Sequence, residues 1–384
     1  MSQFTFETVS KIVCEQGGVQ RLGELARSIG MTHAFLVTDQ GLLKAGLVTD
    51  AVESLEGGGI KVTAFSDVLS DPPEASIQHA ASAARVAGAD GVIGFGGGSS
   101  LDTAKLVALL VRSSQSLPNV YGIDIAAGPR LPLIQIPTTA GTGSEVTPIS
   151  IVTTPTLEKK GVVSPFLYPD IALLDSTLTV GLPPAVTAMT GVDAMVHAIE
   201  AYTTRLKKNP LSDALAIKAL QLLYANLAKV IDNGDDLDAR EAMLTGSLLA
   251  GMAFANAPVG AVHALAYPLG ARYHLPHGLC NSLVLIPVLE FNRPVAEAQY
   301  AELGRAIRPE LTDTSTALAA RVFVDTMRDL VASMPFKQTL KEAGVDQTDL
   351  KSLATDAMNV QRLLVNNPRD LTVDDALSIY QVAF

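Results

Sequence analysis

Residues 91–105 read Gly91-Val-Ile-Gly-Phe-Gly-Gly-Gly-Ser-Ser-Leu-Asp-Thr-Ala-Lys105. A short apolar run, Gly91 to Phe95, enters a glycine and serine turn, Gly96 to Ser100, and a helix opens at Leu101. Bare backbone admits the oxygens of a pyrophosphate, and the unpaired N–H groups at a helix amino end carry partial positive charge toward them. A tight turn capped by Ser99 or Ser100 would use the same residues. Strand followed by helix is therefore settled before any ligand is.

Working outward, apolar runs alternate with amphipathic segments. Ala34 to Thr38 precedes Ala45 to Leu55, Ile60 to Phe65 precedes Glu74 to Ala87, and Leu101 to Val111 precedes Leu131 to Ile136. This β-α-β-α order predicts an α/β domain with a parallel sheet covered by helices. Ligands of such sheets bind beyond the carboxyl ends of the strands, which directs attention to the loops after Thr38, Phe95 and Ile136.

Each loop has suitable chemistry. Asp39 can accept hydrogen bonds from an adenosine ribose and repel a 2'-phosphate, favouring NAD over NADP; as a plain turn residue it would only face solvent. It precedes the glycines, whereas the usual dinucleotide fingerprint has its acidic residue about 20 positions after them, so the arrangement is a variant one. Pro137-Thr-Thr-Ala-Gly-Thr-Gly-Ser-Glu145 supplies hydroxyls at Thr138, Thr139, Thr142 and Ser144. No Gly-Lys-Ser/Thr follows, which weighs against an NTPase.

From about Leu182 the texture changes. Pro183-Pro184 punctuates the chain, and long helical periodicity follows, as in Asp213 to Ala228 and Arg240 to Phe254. The expected division is residues 1–182 as an α/β domain and 183–384 as an all-α domain. Ala242 to Ala271 carries no Asp, Glu, Lys or Arg, longer than the roughly 20 residues that span a bilayer. Asn256-Ala-Pro258 interrupts it, Gly and Ala dominate it, and aromatic or basic flanks are missing. The run is read as two buried helices and no membrane is expected.

With 28 basic and 39 acidic residues, a formal charge of -11 and no Trp, nucleic acid and anionic membrane are poor partners. Cys14 and Cys280 form no framework, and the first residues lack the pattern of a signal peptide; cytoplasmic residence is expected.

Asp193 and His197 stand four apart, on one face if the segment is helical. His263 lies in the charge-free run, and His277 in Leu275-Pro-His-Gly, read as a loop after a helix end. A lone buried histidine is ordinarily a hydrogen-bonded core residue. Three imidazoles and a carboxylate together suit one divalent ion, Fe(II) or Zn(II), whereas imidazoles left unpaired would cost about 1 to 3 kcal/mol each.

Gly96-Gly-Gly-Ser99, the 137–145 segment, Gly191-Val-Asp-Ala-Met-Val-His-Ala-Ile-Glu-Ala-Tyr202 and Gly260-Ala-Val-His-Ala-Leu-Ala-Tyr-Pro-Leu-Gly270 with Pro276-His-Gly278 resemble the iron-containing alcohol dehydrogenases, of the lactaldehyde reductase and 1,3-propanediol dehydrogenase type. The resemblance runs from about residue 5 to Phe384. It implies a Rossmann-like NAD-binding domain, a helical metal-binding and substrate domain, a cleft between them and a homodimer. By motif position it implies Asp193, His197, His263 and His277 as metal ligands. Cofactor contacts fall on Asp39, Gly97, Gly98, Ser99, Thr138, Thr139, Thr142, Thr147, Lys160 and Leu178, of which Thr147, Lys160 and Leu178 rest on the resemblance alone. The implied reaction interconverts a small primary alcohol or diol and its aldehyde, with hydride passing between substrate carbon and nicotinamide while the cation polarises the substrate oxygen.

Two positions depart from the family. Several members place a further histidine where this chain has Tyr267, with His274 a candidate substitute in catalysis or a structural residue. Pro72 replaces the asparagine of a Pro-Asn-Pro segment. A hydroxy-acid substrate such as 4-hydroxybutyrate, with Arg272 as its carboxylate partner, is the alternative. A dehydroquinate-synthase-like lyase is a more distant one, since Arg205, Lys207, Lys208 and Arg272 make no cationic cluster.

Overall fold

The structure is a computed structural model that describes residues 3–156 and 158–384. Residue contacts divide the chain into Thr8–Val180 and a second unit of Gly181–Phe384 joined by the segment ending at Glu7.

The first unit contains β1 (Lys11–Cys14), β2 (His33–Val37), β3 (Lys61–Phe65), β4 (Gly91–Gly96), β5 (Gly122–Ile123), β6 (Leu133–Pro137), β7 (Ile149–Thr153), β8 (Lys159–Val163) and β9 (Ile171–Leu174). Six form a sheet in the order β1-β9-β6-β4-β2-β3, every neighbour parallel. Helices α1 (Leu22–Ser28), α2 (Gln40–Lys44), α3 (Thr49–Gly57), α4 (Glu74–Ala87) and α5 (Gly98–Arg112) connect them. Successive strand residues enter opposite apolar clusters: Phe35, Val92 and Leu133 one, Leu36, Ile93 and Ile134 the other. Burial on both faces explains why these strands read as continuous apolar runs. The chain leaves β2 toward β3 and β4 toward β6, so the loops after β2 and β4 flank a switch point.

The strands β2, β3, β4 and β6 fall where the periodicity puts them. The helix expected at Ala45 to Leu55 begins only at Thr49, as α3; a separate short helix, α2, ends at Lys44, and Gly46 at φ 74° breaks the chain between them. The outer strand β1 and a smaller sheet, β5-β8-β7, were not foreseen.

Beneath the glycine turn lies a buried polar network. Lys105 is fully buried on α5 and donates to the Ile149 carbonyl at 2.7 Å and Thr147 Oγ1 at 3.2 Å. Asp102, 3.6 Å from the ammonium, accepts from Ser144 Oγ at 2.6 Å and the Ile151 N–H at 2.9 Å. Burial lowers the Lys105 pKa to about 8 against the pull of Asp102 and Glu145, and raises that of buried Glu145 to about 7.

The second unit is helical: α6 (Pro184–Thr203), α7 (Pro210–Asp232), α8 (Leu237–Asn256), α9 (Ala261–Tyr273), α10 (His277–Ile307), α11 (Thr316–Ala332), α12 (Leu350–Ala357), α13 (Gln361–Leu364) and α14 (Val373–Ala383). The charge-free run forms the end of α8 and most of α9, which meet at 104°. Most of its residues are buried. At the break, the Asn256 amide donates to Met252 O and Glu7 O and accepts from the Glu7 N–H. Helix α7 is long and apolar enough to cross a bilayer, and it packs against α6 and α8.

The buried pair gives stability a definite pH response. Glu145 binds its proton more tightly folded than unfolded, so its contribution is complete below about pH 4.5 and is lost as pH rises through 7. Lys105 acts in the opposite sense: its contribution is present above pH 10.5 and lost as pH falls through 8. Urea unfolding should show Glu145→Gln flattening the decline between pH 4.5 and 7; an unchanged slope in that variant contradicts the assignment.

Candidate metal centre

Helix α6 starts with Pro184 in its first turn, where a missing N–H costs nothing, and presents Asp193 and His197 one turn apart. Helix α9 brings His263 to the same point. His277 is the first residue of α10, behind Pro276, rather than part of a loop. The ligand atoms of Asp193, His197, His263 and His277 all lie within 4.8 Å of one another. His263 Nε2 is 3.0 Å from His197 Nε2 and 3.9 Å from Asp193 Oδ1, which is 3.7 Å from His277 Nε2. A tetrahedral ion with bonds of about 2.1 Å sets its donors roughly 3.4 Å apart. These separations straddle that value, and three nitrogens with one carboxylate suit a borderline divalent metal.

Burial raises the Asp193 pKa, but His197, His277 and His263 and a hydrogen bond from Asn281 outweigh it, leaving the carboxyl below its ordinary value. Asp193, His197 and His263 are buried, while His277 keeps 38% side-chain exposure. Phe254 stacks on the His197 ring at 4.4 Å and shields that side. His277 is therefore the most exposed of the four.

Two contributors escaped the reading of the sequence. Glu200 Oε2 is 2.6 Å from His263 Nδ1, and Oε1 accepts from the Val262 N–H at 2.7 Å. A carboxylate on Nδ1 fixes the tautomer that points a lone pair on Nε2 at the centre. The signal lay in the 191–202 motif, since Glu200 is one helical turn after His197 and two after Asp193. The Asn281 amide lies 2.5 Å from Asp193 Oδ1 and 3.2 Å from the Nε2 atoms of His263 and His277. Its position one turn after His277 shows on the sequence only once α10 is known to begin there.

Close contact between α10 and α6 sets the geometry. A Cβ on Gly278 would stand 2.4 Å from the Met189 carbonyl oxygen, so any other residue drives the two ligand-bearing helices apart. His274 is not part of the cluster; it ends α9 in a left-handed conformation, exposed. Arg272 is held by Asp356 at 3.0 Å, Asp349 at 3.6 Å and Ser352. With two carboxylates already on it, it is a poor partner for a substrate anion.

In the α/β unit, Gly97, Gly98, Thr139 and Thr142 come together: a Cβ on Gly98 would meet Thr142 Cγ2 at 2.8 Å, and one on Gly97 would meet Thr139 at 3.6 Å. Gly97 has φ -76°, so neither strain nor crowding demands glycine there. Helix α5 has no side-chain cap, so the expected alternative of a turn capped by serine is not what forms. The Thr138 N–H donates to Gly96 O. Asp39 is neither a bare turn residue nor wholly uncommitted: its Oδ1 caps α2 through Gly41 and Leu42. Thr147 and Leu178 are buried, the first on Lys105 and the second among Phe95 and Ile136. Lys160 is half-exposed beside Glu158 and Tyr121.

A glycine turn at the carboxyl end of a parallel sheet, with an Asp-His-His-His cluster on a helical unit, defines the class as a metal-binding α/β protein with a helical second unit. The family profiles agree: "Iron-containing alcohol dehydrogenase" matches residues 9–176 and "Fe-containing alcohol dehydrogenase family, C-terminal" matches 187–384. The chain is 38% identical to the sulfoacetaldehyde reductase of Bilophila wadsworthia over 99% of both chains. It superposes on a solved 1,3-propanediol oxidoreductase with TM-score 0.96 at 32% identity, covering 100% of each. It also superposes on the sulfoacetaldehyde reductase of Bifidobacterium kashiwanohense in complex with NAD+, with TM-score 0.89 at 26% identity over 100% of this chain and 99% of that one. The chain belongs to the iron-containing alcohol dehydrogenase family and is an enzyme of the alcohol dehydrogenase class.

Two outcomes are expected at the centre. Glu200→Gln should release metal to a chelator about 10- to 100-fold more readily than the wild type; equal release rates would remove Glu200 from the site. Gly278→Val should abolish metal retention, read by elemental analysis, while circular dichroism keeps its helical signal.

Proposed function

We propose that the enzyme interconverts a small primary alcohol or diol and its aldehyde with NAD(H), using one divalent cation, Fe(II) or Zn(II), held by Asp193, His197, His263 and His277. The observation that carries this reading is the convergence of those four donors within 4.8 Å. When bound, the cation supplies Lewis-acid polarisation of the substrate oxygen and NAD the acceptor of hydride.

The protein's own groups do the rest. Glu200 holds His263 in register, Phe254 excludes water from the His197 side, and the exposed edge of His277 faces the incoming substrate. The unit Thr8–Val180 serves as the NAD-binding domain, with Gly97, Gly98 and Ser99 on the pyrophosphate and Thr138, Thr139 and Thr142 beside it. The remaining carboxylate oxygen of Asp39 accepts from the ribose. The NAD+ of the Bifidobacterium reductase supports this choice of cofactor. The names of the relatives, an aldehyde reductase and a diol oxidoreductase, support the substrate class. Family membership favours dehydrogenation over the lyase alternative. Homodimeric assembly and cytoplasmic residence belong to the same proposal; the family resemblance supports the first, and a cysteine spacing that makes no disulfide framework supports the second.

NADH formation with short alcohols and diols, after metal analysis of the purified protein, tests the reading. His263→Ala and His277→Ala should lose metal and turnover together. A variant that loses its metal yet keeps full activity overturns the proposal.

A further inference from the structure

Next to His277 stands a second polar pair that the chemistry above does not use. Tyr267 is one helical turn after His263 on α9, so it shares that residue's face, and its ring centre is 6.3 Å from the ring of His277. Its hydroxyl accepts from Arg362 Nη2 at 3.1 Å, and the guanidinium carbon lies 5.7 Å from the centre of the same ring. This is the position at which several family members carry a further histidine; here a phenol holds an arginine instead.

Arg362 has no carboxylate within 4.0 Å among the described residues, whereas Arg272 has two and Arg205 is paired with Asp370. Its backbone is fixed to the metal-bearing helix. The buried Asn366 amide donates to both Arg362 O and Val259 O, each at 3.0 Å. Buried Asn367 accepts from the Ala261 N–H and exchanges hydrogen bonds with Asn292. Short α13 is thereby anchored to the start of α9 by side chains with no access to solvent. An exposed guanidinium on so rigid a base, without a carboxylate partner among the described residues and hydrogen-bonded to the ring that neighbours His277, is a cation kept available.

We propose that Arg362, oriented by Tyr267, is a substrate-specificity residue that binds the anionic end of a short alcohol or aldehyde whose oxygen lies at the His277 edge of the cluster. The planar fork of a guanidinium matches a carboxylate or a sulfonate equally. Both are oxyanions of a size that a short carbon chain can carry past Tyr267. The inference rests on the dehydrogenase reading and names the substrate class within it.

The test compares kcat/KM of the iron-loaded, NAD-supplied enzyme for 3-hydroxypropanoate and 2-hydroxyethanesulfonate with that for 1-propanol. The wild type should prefer one or both anions, and the larger value says which oxyanion is taken. Arg362→Ala should lower the ratio of anionic to neutral kcat/KM by about 10- to 100-fold. Most of the loss should fall in KM, with Arg362→Lys recovering part of it. Calorimetric affinity for the preferred anion should fall by a similar factor. A wild type that oxidises propanol with no preference for anions, or a ratio unchanged in Arg362→Ala, overturns the anion subsite alone. A wild type that oxidises none of the three removes the dehydrogenase reading together with it.

Discussion

An ionised carboxylate cannot remain in a helical core unless positive charge or strong donors surround it. Asp193 is the point where the second unit meets that demand. Three imidazoles and the Asn281 amide face it, drawn from α6, α9 and α10, and the approach of α10 to α6 is possible only because Gly278 presents no side chain to the Met189 carbonyl. Move either helix and the carboxylate loses the partners that make its burial tolerable. The catalytic arrangement and the packing of the helical unit are therefore one constraint. The same group that requires neutralisation fixes where three helices run.

The α/β unit solves an analogous problem in a different place. Lys105 is buried beneath the glycine turn, and its hydrogen bonds reach Thr147 and Ile149, while Asp102 holds Ser144 and Ile151. Helix α5, which starts at the glycine turn, is thus tied to the hydroxyl-rich segment that follows β6. Thr147, which the family resemblance places among cofactor contacts, spends its hydroxyl on Lys105 and shapes that segment from behind. Leu178 likewise contributes packing, among Phe95 and Ile136.

What could be read from residues alone follows the range of the interactions. Strands β2, β4 and β6 were legible because burial on both faces leaves an uninterrupted apolar run, and the four metal donors because imidazoles beside an uncharged stretch have few alternatives. The break between α2 and α3 was not, since one glycine in a left-handed conformation outweighs a good amphipathic pattern. Nor was the capping role of Asp39, which depends on where α2 begins. The partners of Glu200 and Arg362, His263 and Tyr267, lie 63 and 95 residues away; helical spacing puts Glu200 on the face of Asp193 and His197 but does not name its partner, and nothing local marks Arg362. Arg272 misled for the converse reason, because the acids that occupy it, Asp349 and Asp356, are equally remote in sequence.

The sharp bend between α8 and α9 has a consequence for how the chain is made. During synthesis some thirty residues without a formal charge leave the ribosome before α10 exists, and α10 is the helix that packs over α9. Until it arrives, this segment is an apolar, uncharged stretch of the sort that aggregates or recruits chaperones. Its richness in Gly and Ala, poor in β-branched residues, keeps it from pairing as strands in that interval. The residues that later support the metal are thus also suited to surviving the time before it can bind.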